Sequence, residues 1–222
     1  MIWVSVLQGP EWGIAARIAT RPRKELTFAP QSPTSADMAD PFFFGYGSLV
    51  NRTTHVYEDA HRAKASGWRR TWRHTALHPA PFLTAIPCDK TEIEGLIAHV
   101  PGGDWAALDA RETGYDRLPA THQVTHPVDR SIDVAIYSVP ETLEVPDLRH
   151  PILLSYLDVV IQGYLREFGQ AGAERFFETT DGWDAPIKDD RSAPEYPRHR
   201  VLSPEETDFV DAQLRILGAD LT

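Results

Sequence analysis

The sequence predicts an α+β domain: a mixed, mainly antiparallel, barrel-like sheet with flanking helices and a helical segment at its C-terminal end. Three observations carry that expectation. Strand-like runs separated by turn residues fill most of the first two thirds of the 222-residue chain. Apolar residues then recur at three- and four-residue steps from Leu153 to Phe168. A second helix opens at Ser203 with Pro204 and Glu206 in capping positions.

Residues 1–37 differ from the rest, passing from an apolar start through "RIATRPRK" to the Pro/Ser-rich "FAPQSPTSADMAD". The start lacks a basic region ahead of its apolar part, and Pro10 and Glu11 interrupt it, so a secretory signal is not expected. We read 1–37 as a weakly ordered extension or a start-site artefact, and 38–222 as the domain proper. The run "PFFFGYGSLV" at 41–50 reads as a strand covered on both faces and ended by a glycine turn. "GWRRTWRHT" at 67–75 is the next strand signal, and "FLTAIPC" and "EIEGLIAHV" flank Asp89, Lys90 and Thr91 as a hairpin would. Asp104 can start a short helix, "WAALDARE", which Gly114 would end. "SIDVAIYSV" at 131–139 alternates as a half-buried strand should. The helix that follows Pro151 should stop at Gly169, and the last one near Gly218.

Composition narrows the partners. At 42% hydrophobic the chain can bury a sizeable core. Its 22 basic and 32 acidic residues give a formal charge of −10, the wrong sign for nucleic acid or an anionic membrane surface as the main partner. The single cysteine, Cys88, forms no internal disulfide, which fits a reducing cytoplasm, and it reads as a small packed residue. No segment reaches the roughly 18 apolar residues that a membrane span needs. His74 and His78 are four apart, but Pro79 and Pro81 follow in a strand-like context, so no metal site is expected. The aspartates of "DGWDAPIKDD" miss the alternation and closing Glu of a calcium loop and read as turn formers.

Two stretches point to chemistry. Gly45-Tyr46-Gly47-Ser48 frees the backbone of side chains, so a ligand can approach main-chain N–H groups closely, and successive N–H groups in such a turn cradle an anion. A tight strand exit with no ligand is the plainer reading. The third glycine of a dinucleotide fold and the Gly-Lys-Ser/Thr of a phosphate loop are both missing. In "LDARETGYDRL", Glu112 stands where the chain leaves a short helix, a place from which a carboxyl can enter a cavity and have its pKa raised by desolvation. A surface Glu paired with Arg111 or Arg117 is the alternative.

Taken together, Phe44-Gly45-Tyr46-Gly47-Ser48-Leu49 and Leu108-Asp109-x-Arg111-Glu112-x-Gly114-Tyr115 resemble the γ-glutamylcyclotransferase superfamily. With "GWRRTWRHT" between them, the texture is similar to its glutathione-degrading ChaC-like branch from about Phe42 to Tyr137. Ser155 and Tyr156, followed by Gly163, resemble a helix of the γ-glutamylcyclotransferases proper. The resemblance implies that fold, and release of 5-oxoproline from a γ-glutamyl peptide or amine by the substrate's own α-amine, with no enzyme nucleophile, metal or cofactor. It implies Glu112 as general acid/base and a substrate cradle at Tyr46, Gly47, Ser48 and Leu49, with Tyr156 turned into the same pocket. Arg52 would meet a carboxylate on a peptide-like leaving group, or else remain a solvated arginine. A non-catalytic member of the same fold, binding a small carboxylate or a protein, would instead turn Glu112 to solvent. Where ChaC-like chains carry Ser and then His-Arg-Gly-Thr after "GW", this chain continues into "HTALHPAPFLTAIP", which argues against glutathione itself. The segment 176–200 is also unlike the short tails of the family, and could fold over the pocket mouth as a lid.

Overall fold

A computed structural model describes residues 39–222; the extension expected at 1–37 lies outside the described residues. Strand β1 (Asp40–Gly45) is a central strand, antiparallel to β3 (Phe82–His99) and parallel to β6 (Ile132–Ser138). Its three phenylalanines all sit at 0–1% exposure because both faces are covered. Phe42 and Phe44 pack inside the curl of the sheet with Trp68, Ile93 and Ile136, while Phe43 packs on the other face with Leu49, Leu108 and Tyr137. This explains why β1 reads as an unbroken apolar run rather than an alternating one.

The sheet runs β4-β6-β1-β3-β2-β5, where β2 is His61–Arg73, β4 is Asp116–Pro119 and β5 is Val124–Thr125; β8 (Thr180–Asp181) joins the far end of β2. It curls into a half-barrel, as expected for the mixed α+β class. The expected hairpin at Asp89–Thr91 does not form. Residues 82–99 are one strand, paired antiparallel to β2 on both sides of an irregularity in which Gly67 alone stands opposite Cys88 to Thr91. Gly67 has φ +79°, a conformation open to glycine, and the extra residues on β3 bend the pair without reversing it. β2 likewise begins six residues earlier than "GW" suggested, since Ala63 and Ala65 pair through to Gly95 and Ile93.

Helix α1 (Ala106–Arg111) follows the Asp104 carboxylate, which accepts the Ala106 N–H at 3.1 Å. Helix α2 (Leu154–Glu178) does not stop at Gly169 as expected: it breaks there, φ +68°, and resumes to Glu178. Its apolar face meets Trp72, Leu83 and Leu96 of the sheet and Val210 and Leu214 of α3 (Pro204–Leu217). A short parallel pair, β7 (Ile152–Leu153) with β9 (Ile187–Lys188), closes this end. Among the described residues no helix is long and apolar enough to cross a membrane.

The α3 cap forms as its residues dictate: Ser203 Oγ accepts the Glu206 N–H at 3.2 Å and Glu206 accepts the Ser203 N–H at 2.9 Å. Ser203→Ala is therefore expected to cost about 1 kcal/mol. In a chain of this size that is a fall in Tm of about 2–4 °C, measurable by calorimetry.

Candidate active site

The glycine turn is held from behind. The Tyr46 phenol is buried, donating to the Tyr137 carbonyl at 2.5 Å and accepting the Ala85 N–H at 3.0 Å. Its carbonyl accepts from Arg70 Nε at 3.2 Å and from the Tyr164 phenol at 2.9 Å. Arg70 is itself 1% exposed and spends its other donors on the Glu94 carbonyl, Thr179 Oγ1 and the Tyr164 phenol, so a fixed cation lies beneath the turn. His55 Nε2 reaches the Leu49 carbonyl at 3.1 Å; burial, then Arg111, lowers the ring to about 4, so it donates as a neutral imidazole.

Within the turn, the N–H groups of Val50 and Asn51 donate back to the carbonyls of Gly47 and Ser48 at 3.0 and 3.1 Å. This occupies the carbonyls. The N–H groups of Gly47, Ser48 and Leu49 have no backbone acceptor among the described residues, and that of Ser48 meets the Tyr156 phenol. The same residues line a narrow recess of about 30 Å³ together with Leu83, Glu112, Tyr115, Tyr137 and Tyr156. The recess shares Ser48, Leu83, Glu112, Tyr115 and Tyr156 with an outer chamber of about 520 Å³, large enough for a peptide-sized molecule.

Glu112 reaches this place because α1 ends there. Its N–H closes on the Leu108 carbonyl at 2.9 Å, its carbonyl accepts the Tyr115 N–H at 3.0 Å, and Gly114 at φ +94° turns the chain between. The side chain is 16% exposed, with Arg111 Nε 3.1 Å from Oε1. Burial raises the carboxyl above the usual range, and Arg111 and Arg198 only partly offset it. The pairing with Arg111 is thus real, but it is a pairing at a cavity wall and not on the surface. Arg111 also donates to the Thr54 carbonyl at 2.9 Å and to Ser48 Oγ at 3.2 Å, which ties the carboxyl to the turn.

Ser48 Oγ accepts a second bond from the Tyr196 phenol at 3.0 Å. With two donors on the oxygen, the hydroxyl keeps its own proton for a ligand. Tyr156 lies over Gly47, its phenol oxygen 2.9 Å from where a Cβ on that glycine would stand, and stacks edge-on with Tyr196 at 4.9 Å and Trp72 at 5.9 Å. Burial and the neighbouring Tyr196 and Glu112 push its phenol well above the tyrosine range, so it is a proton donor and not a base.

The structure therefore brings Tyr46, Gly47, Ser48, Leu49, Glu112 and Tyr156 to one recess. It does not bring Arg52 there: its Nε and Nη2 hold Glu167 of α2 at 2.5 and 3.1 Å, because the chain turns along α2 immediately after the glycine turn. Ser155 does not line the recess either. Its N–H and hydroxyl both donate to Asp190, at 2.7 and 2.5 Å, and Asp190 in turn accepts the Glu195 N–H at 2.8 Å. That anchor lays Glu195, Tyr196, Pro197 and Arg198 along the outer chamber, the position expected of segment 176–200. Burial pushes the Asp190 carboxyl up, but the bonds from Ser155 and Glu195 outweigh it and hold it below its ordinary value. Its contribution to stability is thus present above the unfolded carboxylate pKa of about 3.9 and is lost as pH falls through the lower folded value. Asp190→Asn is expected to lower Tm at pH 7, with the gap to the parent protein narrowing in acid, as thermal melts across pH 7 to 3 would show.

Arg70, Tyr196 and Arg198 escaped the sequence reading. Arg70 alone left a trace: with strand period two, it shares a face with the buried Trp68 and Trp72.

A curled sheet whose central strand ends in a glycine turn thus faces a buried carboxyl across a shared recess, in an α+β domain. The chain matches the family described as gamma-glutamyl cyclotransferase, AIG2-like, over residues 43–156, more than half its length, and belongs to that family. No curated protein matches it in sequence. Among solved structures, one titled "Gamma-glutamyl cyclotransferase" is 13% identical at a TM-score of 0.50, covering 77% of this chain and 98% of its own, which shows the same fold. YkqA from Bacillus subtilis is 16% identical at a TM-score of 0.49, covering 67% of this chain and 58% of its own. An uncharacterized protein from Homo sapiens is 14% identical at 0.48, covering 77% and 97%.

Proposed function

We propose that the protein releases 5-oxoproline from a γ-glutamyl peptide or amine. The observation that carries this reading is the buried Glu112 carboxyl lining the same recess as the Gly47–Leu49 main chain. In the reaction, Glu112 takes a proton from the substrate's α-ammonium. The freed amine attacks the γ-carbonyl carbon, closing a five-membered ring, and the carbonyl electron pair moves to oxygen. That oxyanion rests on the turn's N–H groups and the Ser48 hydroxyl, with the Tyr156 phenol as a further donor. As the oxyanion collapses, the C–N bond breaks and Glu112 returns its proton to the departing nitrogen, while the ring nitrogen gives up its second proton through the same carboxylate, so that the lactam forms and the amine leaves as an ammonium. The balance is one γ-glutamyl compound to one 5-oxoproline and one amine.

Each step draws on something the residues supply. A carboxyl raised by burial is nearer the pKa that a shuttle needs at neutral pH, and such a shuttle contributes roughly 10²–10⁴-fold. Folding the glutamyl chain against the recess adds orientation, for which effective molarities reach about 10⁵ M or more. The Arg111 bonds to both Glu112 and Ser48 support the alignment of shuttle and oxyanion donors. A non-catalytic binding role is disfavoured by the same placement of Glu112, which a mere binding module has no reason to desolvate. Incubating the purified protein with γ-glutamyl-alanine, glutathione and a γ-glutamylamine, and measuring 5-oxoproline by chromatography, tests the reading; no product from any of them rejects it.

A further inference from the structure

We propose that Arg198 forms an anion subsite at the outer end of the chamber, which takes a carboxylate carried by the leaving amine; this rests on the reaction proposed above. Arg198 lines the outer chamber and not the recess. The other charges lining that chamber are already engaged. Arg111 pairs with Glu112, and Glu195 pairs with Lys188. His78 uses Nδ1 to accept the Ala80 N–H at 3.1 Å. Of the arginine and carboxylate side chains that line the chamber, Arg198 alone has no ion pair among the described residues, and its charge acts on Glu112.

The stretch of chain that carries Arg198 is held on both sides. Upstream, Asp190 fixes the Glu195 N–H and the Tyr196 phenol is bonded to Ser48. Downstream, Arg200 Nε donates to Thr53 Oγ1 at 3.0 Å and a second nitrogen to the Thr53 carbonyl. Much of the remaining wall, Trp72, Leu77, Phe82, Leu153 and Pro197, offers no acceptor to compete with a carboxylate for the cation. If the γ-carbonyl sits in the recess beside Glu112, the group that reaches Arg198 is the one beyond the scissile bond. The role that the sequence assigned to Arg52 thus passes to a residue far along the chain.

γ-Glutamyl-alanine and γ-glutamyl-ethylamine differ only by that carboxylate. The parent protein is expected to favour the former in kcat/KM by about 10- to 100-fold, the worth of a charge-assisted hydrogen bond. Compared at each variant's own pH optimum, because the Arg198 charge also acts on Glu112, Arg198→Gln should remove that preference mainly through KM, and Arg198→Lys should restore part of it. Equal use of the two substrates by the parent protein, or an equal loss on both in Arg198→Gln, would overturn the subsite. If neither is turned over, calorimetry with the same pair separates the two ideas. Carboxylate-selective binding that disappears in Arg198→Gln rejects the chemistry and keeps the subsite, while unselective or absent binding rejects the subsite too.

Discussion

Glu112→Gln is expected to lower 5-oxoproline release by roughly 10²–10⁴-fold while leaving the fold intact. Gln keeps the shape of the side chain and its contact with Arg111 but cannot exchange a proton. The loss should appear in kcat and kcat/KM alike, because the shuttle acts only as the reaction proceeds. In the parent protein, activity should rise with pH through a Glu112 pKa lying above the ordinary glutamate value, and that limb should vanish in the variant. Stability should move the other way. A carboxyl whose folded pKa is raised contributes its full stability below the unfolded pKa, and loses it as pH rises through the folded value. Once ionised, Glu112 is therefore a burden on the fold, so above its folded pKa Glu112→Gln should melt at or above the parent temperature. Activity retained within tenfold in the variant would remove Glu112 from the mechanism, whereas a lower Tm would mean that the carboxylate is structural.

Gly163→Ala is expected to damage both stability and activity, although it lies outside the recess. Helix α2 crosses the glycine turn so closely that a Cβ at this position would stand 2.7 Å from the Asn51 nitrogen and 2.9 Å from its Cα. These are backbone atoms and cannot swing aside. Asn51 is at the same time bound to α2, its Nδ2 donating to the Val159 carbonyl and to Gln162 Oε1, both at 3.0 Å, while Gln162 reaches Glu206 of the α3 cap at 2.8 Å. An added methyl must push the turn off the helix and pull on that chain of bonds. Overpacking of this kind costs about 1–3 kcal/mol, which for this chain size is a fall in Tm of several degrees. Since the Asn51 N–H also closes the Ser48 carbonyl, the shift reaches the donor turn, and a displacement near 1 Å is enough for about a 10²-fold loss of rate. A variant with unchanged kcat/KM and reduced Tm would show that the turn tolerates movement.

Much of this site could be read locally. Glycine can be recognised as the residue that lets a ligand or a helix approach a backbone, and both Gly47 and Gly163 stand in motifs that the sequence displays. Glu112 was legible because a helix start at Asp104 and a glycine at 114 fix where the short helix must end. What surrounds these residues was not legible. Arg111 appeared only as a possible partner for a surface Glu, whereas in the structure it spans Glu112, Ser48 and Thr54. Ser155 looked like part of a substrate helix and is instead the anchor of Asp190.

The sequence by itself determined the elements whose signals are local: the doubly covered strand of phenylalanines, the amphipathic start of α2, and the capping box and Gly218 end of α3. Each depends on residues a few positions apart. The tertiary structure alone decided whether Asp89–Thr91 reverses the chain or bulges, because that turns on how much of β2 is available to pair with β3. It also decided which cations face the cavity. Tyr196 and Ser48 meet across 148 positions and Arg70 and Tyr164 across 94, and no periodicity in either segment records such a pairing. Contacts of that separation are selected by the packing of a helix and a strap against a curled sheet, and only the folded chain holds that information.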